Sequence, residues 1–151
     1  MIYPQNNKLI RGFFRLYLPW IIRRNFNEVK FDQVGIDPDK SILLLANHYS
    51  WWDAFLLYYV FSKLCNKRLY VMVLEETMKK QIFLKYIGSF SVNRNSRQAV
   101  ASINYAAELL QNPQNLVLIF PQGALHSNFV SDVKFEQGII KIIQKASNQF
   151  Q

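Results

Sequence analysis

Residues 42–53 read Ile-Leu-Leu-Leu-Ala-Asn-His-Tyr-Ser-Trp-Trp-Asp, and this stretch decides the fold. The run Ile42–Ala46 is short, apolar and bounded, as a strand buried in a parallel sheet should be. Trp52 to Val60, WDAFLLYYV, is long enough for a helix. Between them Asn47-His48 breaks the apolar run, so His48 falls in a strand-to-helix turn. Ser50 and Asp53 make Ser-x-x-Asp, a capping-box-like helix start with Ser50 at the N-cap and Asp53 at N3. In one continuous helix, five residues at about 100° each would hold His48 and Asp53 roughly 140° apart. With His48 on the turn, the chain can fold back and bring the carboxylate to one imidazole nitrogen.

A carboxylate on one ring nitrogen fixes the tautomer and stabilises the imidazolium, leaving the other nitrogen free to take a proton from a hydroxyl. That is the base half of a catalytic triad, and the hydroxyl can belong to a substrate. The string Asn47-His48-Tyr49-Ser50-Trp51-Trp52-Asp53 resembles the NH-x4-D block of the glycerolipid acyltransferase family, the lysophosphatidic-acid acyltransferase group. The resemblance implies that His48 is the general base and Asp53 its orienter. It further implies transfer of an acyl chain from acyl-CoA or acyl carrier protein to a lipid alcohol.

Two further blocks carry the resemblance. Gly88-Ser89-Phe90-Ser91-Val92-Asn93-Arg94 is similar to the family's second block, which implies that Arg94 holds acceptor phosphate; a solvated arginine before a helix is the plainer alternative. Phe120-Pro121-Gln122-Gly123-Ala124-Leu125-His126 aligns with the third block, FPEGTRS. Phe, Pro and Gly match, while Gln122 replaces glutamate and Leu125 replaces arginine. A strand-ending Pro-x-Gly turn explains the proline and glycine without a ligand. The resemblance extends over roughly residues 29 to 148 and makes Asn47, Pro121, Gln122 and Gly123, with Arg94, the substrate-binding candidates.

Elsewhere the chain alternates strand and helix. Leu69–Leu74 reads as a strand, Glu75–Tyr86 as a helix with acids first and lysines later, and Ile87–Val92 as a short strand. Ser96–Gln111 is helical in pattern and stopped by Pro113; Leu116–Phe120 is a strand and Val133–Ala146 a final amphipathic helix. This alternation predicts an α/β fold, a mostly parallel sheet with helices on both faces and right-handed crossovers. Every strand-to-helix loop then emerges at one sheet edge, where such folds place ligands. His48, Arg94 and Gln122-Gly123 each follow a strand, so topology alone brings them together.

At 151 residues, half of them hydrophobic, the chain is one domain with a substantial core. The net charge is +8, and six basic residues stand in the first 30 positions against Glu28 alone. Residues 1–28 therefore read as a basic amphipathic segment, kinked at Pro19, ahead of an acyltransferase domain at 29–151. Its aromatics, aliphatics and arginines suit an interfacial helix on a peripheral membrane protein, or a helix laid on the protein's own sheet. Its longest uncharged stretch, Leu16–Ile22, is far short of the roughly 20 residues of a span. Nucleic acid does not fit this pattern. Cys65 is the only cysteine, and His48 and His126 lack zinc-site companions, so neither metal nor cofactor is expected beyond the acyl thioester. No secretory signal is apparent, which places the chain on the cytoplasmic side.

The expectation is thus an O-acyltransferase. Its rivals are a non-catalytic membrane-surface protein, which could dispense with His48, and a thioesterase, which would use water. The strand and helix alternation also calls for another strand after Ala146, without which the sheet keeps an open apolar edge.

Overall fold

The computed structural model describes residues 1–93, 98–127, 129, 134–146 and 150–151. Its centre is a four-stranded, wholly parallel sheet made of β1 (Ile42–Leu45), β2 (Arg68–Leu74), β3 (Ser89–Val92) and β4 (Asn115–Ile119), in the order β1-β4-β2-β3. β4 lies between two neighbours and is buried along its whole length, which suits its unbroken apolar run. Alternate β4 side chains supply the two cores. Leu116 and Leu118 join Ile42 and Val71 on one face, against Ala54, Leu57 and Phe61 of α2 (Asp53–Leu64). Val117 and Ile119 face Ala106 of α4 (Gln98–Leu109) and Ile139 and Ile142 of α5 (Gly138–Lys145). The sheet is parallel with helices on both faces, as the alternation predicts.

α1 (Lys8–Asn25) precedes the sheet, and the α-helix continues through Pro19. Asn7 caps it by accepting from the backbone N–H groups of Leu9 and Ile10, both at 3.1 Å. Its inner side buries Leu18 and Ile22, and Phe14 stacks on Phe83 at 5.4 Å between centroids. No helix among the described residues is long and apolar enough to cross a membrane.

Several boundaries differ from the sequence expectation. The helix predicted over Glu75–Tyr86 is two pieces, α3 (Glu75–Lys80) and a 3-10 helix (Ile82–Ile87), divided at Gln81 with ψ near 64°. Seating Phe83 on Phe14 and burying Leu84 sets the tighter winding. β3 starts at Ser89 rather than Ile87 because Gly88, at φ 101°, turns the chain out of the 3-10 helix. The last helix starts at Gly138 rather than Val133, which lies outside the described residues. Before it, the Glu136 N–H donates to the Pro121 carbonyl at 2.9 Å, tying that backbone to the loop after β4. For the helix predicted from Ser96, residues 96 and 97 lie outside the described residues.

Chain ends lie along both sheet edges. The Ser91 N–H donates to the Ile2 carbonyl at 2.9 Å, and the Ile2 N–H donates to Ser91 Oγ at 2.6 Å, on the outer side of β3. The Met1 amino group sits 3.6 Å from the Glu75 carboxylate. Beside β1, at the other edge of the sheet, Phe150 pairs in parallel with Ser41. There Gln151 N–H donates to Ser41 at 2.9 Å and Leu43 N–H donates to Gln151 at 3.0 Å.

Candidate active site

Because β1 and β4 are neighbours, with Leu45 opposite Ile119, the loops that follow them emerge side by side. The Ala46 N–H extends the ladder by donating to the Ile119 carbonyl at 3.3 Å, and His126 N–H donates to the His48 carbonyl at 3.0 Å. Two loops distant in sequence are thereby stitched into one rim.

His48 and Asp53 meet as the turn predicts: Nδ1 lies 3.1 Å from Oδ2. The same Oδ2 accepts from the backbone N–H groups of Tyr49 and Ser50, both at 2.8 Å. The reach back to Ser50 N–H is half of the anticipated capping box, and Ser50 Oγ accepts from Trp52 N–H at 3.2 Å. The α-helix itself begins only at Asp53, after a turn through Trp51 and Trp52, so Trp52 rather than Ser50 is its N-cap. One carboxylate oxygen thus fixes the turn and orients the imidazole. The two side chains are 21% and 20% exposed, shielded enough to strengthen the pairing yet open to a ligand.

The loop after β4 supplies support that the sequence reading missed. The Phe120 ring stacks on His48 with centroids 4.1 Å apart and planes 19° apart. The only signal was an aromatic residue closing a strand beside the Pro-x-Gly turn. In that turn Gly123 N–H donates to the Phe120 carbonyl at 3.0 Å, and Gly123 takes φ 67°, a left-handed conformation suited to glycine.

Gln122 departs from its expected role. Its Oε1 accepts from the His48 backbone N–H, it is only 4% exposed, and it does not line the neighbouring cavity. The demand for an acceptor on His48 N–H turns the amide inward and leaves Nε2 buried without a partner among the described residues. Asn47 is exposed, with Nδ2 donating to the Tyr49 hydroxyl at 3.1 Å, and it too does not line the cavity. Pro121 and Gly123 do line it. Arg94 lies outside the described residues. No cluster suited to a metal ion occurs among the described residues.

His48 opens onto a mainly apolar cavity of about 720 Å³. It runs between α2 and the sheet past Phe55, Tyr58, Val71 and Leu84, and reaches Ile103 and Ile142 on the other side. Ala54, Phe55 and Tyr58 of α2, a strongly apolar helix with no fully buried residue, line it. Burial holds the Tyr58 hydroxyl above its ordinary pKa, against the opposing pull of Arg15 and Arg11, so it stays neutral across the physiological range.

An imidazole oriented by a carboxylate, stacked on an aromatic ring and opening onto an apolar cavity can deprotonate a hydroxyl beside a greasy ligand. The family described as Acyltransferase matches residues 23–150, and the chain belongs to that family, of the glycerolipid acyltransferase kind its sequence blocks resemble. Among its relatives is the 1-acyl-sn-glycerol-3-phosphate acyltransferase of Streptococcus pneumoniae (strain ATCC BAA-255 / R6). That protein is 29% identical over 155 residues, an overlap covering 95% of this chain and 56% of the relative. The chain therefore spans about half the length of the curated relative it matches. No solved structure matches it.

Proposed function

We propose that the chain transfers a fatty acyl group from a thioester, acyl-CoA or acyl carrier protein, to the hydroxyl of a lysophospholipid or other lipid-like alcohol in membrane lipid synthesis. His48 Nε2 takes the proton of the acceptor hydroxyl as its oxygen attacks the thioester carbonyl carbon. Asp53 stabilises the imidazolium through Nδ1. The tetrahedral intermediate collapses, the C–S bond breaks, and the proton returns from Nε2 to the departing thiolate. An oxygen ester and a free thiol result. The observation that carries this reading is the 3.1 Å pairing of His48 with Asp53 at the wall of the apolar cavity. That cavity lies within the range of about 300–1,000 Å³ typical of ligand sites and suits an acyl chain.

Leu125, half exposed on the cavity wall, stands where the family's third block carries arginine. A leucine cannot make the forked contacts with a phosphate that an arginine makes. The favoured acceptor is therefore a lipid alcohol without a terminal phosphate monoester, such as a glycolipid. Attachment is peripheral, at the cytoplasmic face, supported by the exposed apolar side chains of α1 and by the free thiol of Cys65.

The test is mass spectrometry of lipid extracts incubated with the purified chain and labelled acyl-CoA, with acyl carrier protein thioester in parallel. A labelled acyl ester is expected. Release of free fatty acid alone would replace transferase by thioesterase. Efficient acylation of lysophosphatidate, with none of uncharged lipid alcohols, would overturn the acceptor assignment.

A further inference from the structure

A second hollow, of about 640 Å³, opens at the opposite end of the sheet from His48, where β2 and β4 begin. Six cations line it: Lys8, Arg11 and Arg15 of α1, and Lys63, Lys67 and Arg68 from the end of α2 and the start of β2. No carboxylate lines it, and none of the six forms an ion pair with a described residue. Lys67 is spent on the backbone carbonyls of Pro38 and Pro113, at 2.9 and 2.7 Å. Arg11 donates to Asn6 at 3.2 Å, whereas Lys8 and Arg15 have no hydrogen-bond partner among the described residues. Like charges gathered in this way repel one another until an anion joins them.

This hollow adjoins the active-site cavity: Tyr58, Leu69 and Ile87 border both. One face of α1 covers the pair. At about 100° per residue, Lys8, Arg11 and Arg15 share an arc of roughly 80° with Leu18 and Ile22, the two α1 residues buried against the rest of the chain. The cations therefore lie on the inward side of the helix, and Leu18 of the same arc lines the active-site cavity. Arg15 and Arg11 are near enough to Tyr58 to oppose the upward shift of its hydroxyl pKa. An apolar cavity that begins at His48 is thus followed, past Tyr58, by a cluster of cations without counter-charges among the described residues.

We propose that the two hollows form one site for a single-chain anionic amphiphile, a fatty carboxylate or an alkyl phosphate, with its head on Arg11 and Arg15 and its chain running past Tyr58 toward His48. The two guanidinium groups stand one helical turn apart, and each presents a fork of donors to the oxygens of such a head. α2 rises about 15 Å from Asp53 to Lys63, a distance that roughly ten to twelve carbons span at a C–C bond of about 1.5 Å. A soluble polyanion would satisfy the cations and leave the apolar throat empty. An uncharged chain would fill the throat and leave the cations uncompensated. An anionic amphiphile does both. Its chain then lies where the donor's acyl chain lies in the proposed reaction, so it competes with the acyl thioester. That consequence, unlike the site itself, rests on the transferase function proposed above.

The test is isothermal titration calorimetry of the full chain with monomeric probes. Decyl phosphate and decanoate carry head and chain, butyl phosphate the head alone, and decanol the chain alone. Decyl phosphate should bind at least about 100-fold more tightly than butyl phosphate, since each buried methylene is worth about a factor of four. It should also bind about tenfold more tightly than decanol, and decanoate should rank with it if the head is read as an anion only. Arg11→Gln with Arg15→Gln should weaken decyl phosphate by about tenfold or more and leave decanol unchanged. Lys30→Gln with Lys40→Gln removes the same charge from exposed pairs outside the hollow and should leave both probes nearly unchanged. The chain has two histidines, so the His48 ring resonance is told from that of His126 by His48→Ala. It should shift with decyl phosphate and not with butyl phosphate. In the transfer assay decyl phosphate should raise KM for the acyl donor and leave kcat alone. Circular dichroism melts confirm that each variant folds, and the ranking of probes on the parent chain decides the matter if the arginine pair does not. Equal affinity for decyl and butyl phosphate would leave a polyanion site without a throat, and equal affinity for decyl phosphate and decanol a throat without a head. Either would overturn the proposal, as would equal losses in the two variant pairs or an unmoved His48 resonance. Absence of transfer with these binding results intact would remove the competition and keep the site.

Discussion

Asp53 Oδ2 serves three donors, and substitutions separate its two duties. Asp53→Asn keeps an oxygen for the Tyr49 and Ser50 N–H groups but loses the charge that steadies the imidazolium. It should lower kcat by about 10² to 10⁴, with a melting temperature close to the parent's. Asp53→Ala also abandons the two N–H groups and should cost about 1 kcal/mol more, as a lost helix cap does, or roughly 2–4 °C in a domain of this size. Equal melts for the two variants would show that the carboxylate does not hold the turn. His48→Ala should nearly abolish transfer, and undiminished transfer in an activity assay would remove the histidine from the chemistry. For Gln122→Ala the expected result is a loss of activity together with about 1–3 kcal/mol of stability, because the His48 N–H is left without its acceptor. Removal of the unpartnered Nε2 should keep that loss toward the lower end. The His48–Asp53 pair was legible because a turn and a spacing of five suffice to bring the two together. The inward placement of Gln122 was not legible, because nothing in its own neighbourhood announces a backbone donor 74 positions earlier.

Gly88 shows what decides an element boundary. A Cβ built there would lie 2.4 Å from the Leu69 carbonyl oxygen, and φ is 101°. Gly88→Ala should therefore strain the backbone and push β3 from β2, costing more than about 2 kcal/mol and lowering the melt by at least about 4 °C. Strand and helix identities were legible from apolar runs and dipole-matched charges. The break at Gln81 was not, because it answers to Phe14, a residue of another element. In α3, the Lys79 hydrogen bond lowers the Glu75 carboxyl below its ordinary pKa of 4.5, with help from the Met1 amino group. Since the folded pKa is the lower one, the ion pair stabilises the fold fully above pH 4.5 and is lost as pH falls through the folded value. Melts of the parent and Glu75→Gln should differ by a constant amount at neutral pH and converge in acid. A difference that grows on acidification would contradict this.

Across the whole molecule, the alternation of elements announced a parallel sheet with helices on both faces, and from it the gathering of strand-end loops at one edge. The strand order was beyond it. β1 and β4 pair although Ile42 and Leu116 are 74 residues apart, and each run is apolar enough to accept several neighbours. The cavity under α2 was hidden as well, since an unfilled interior leaves no mark on the hydrophobic pattern of the helix above it. That strand order has a consequence for biosynthesis. At roughly 5–20 residues per second, about 4 to 15 s of translation separate β1 from the strand it pairs with. Until β4 has cleared the ribosome, Ile42–Leu45 is a bare apolar segment and the His48 loop has no Phe120 to rest on. The nascent chain is therefore both inactive and exposed to chaperones until β4 emerges.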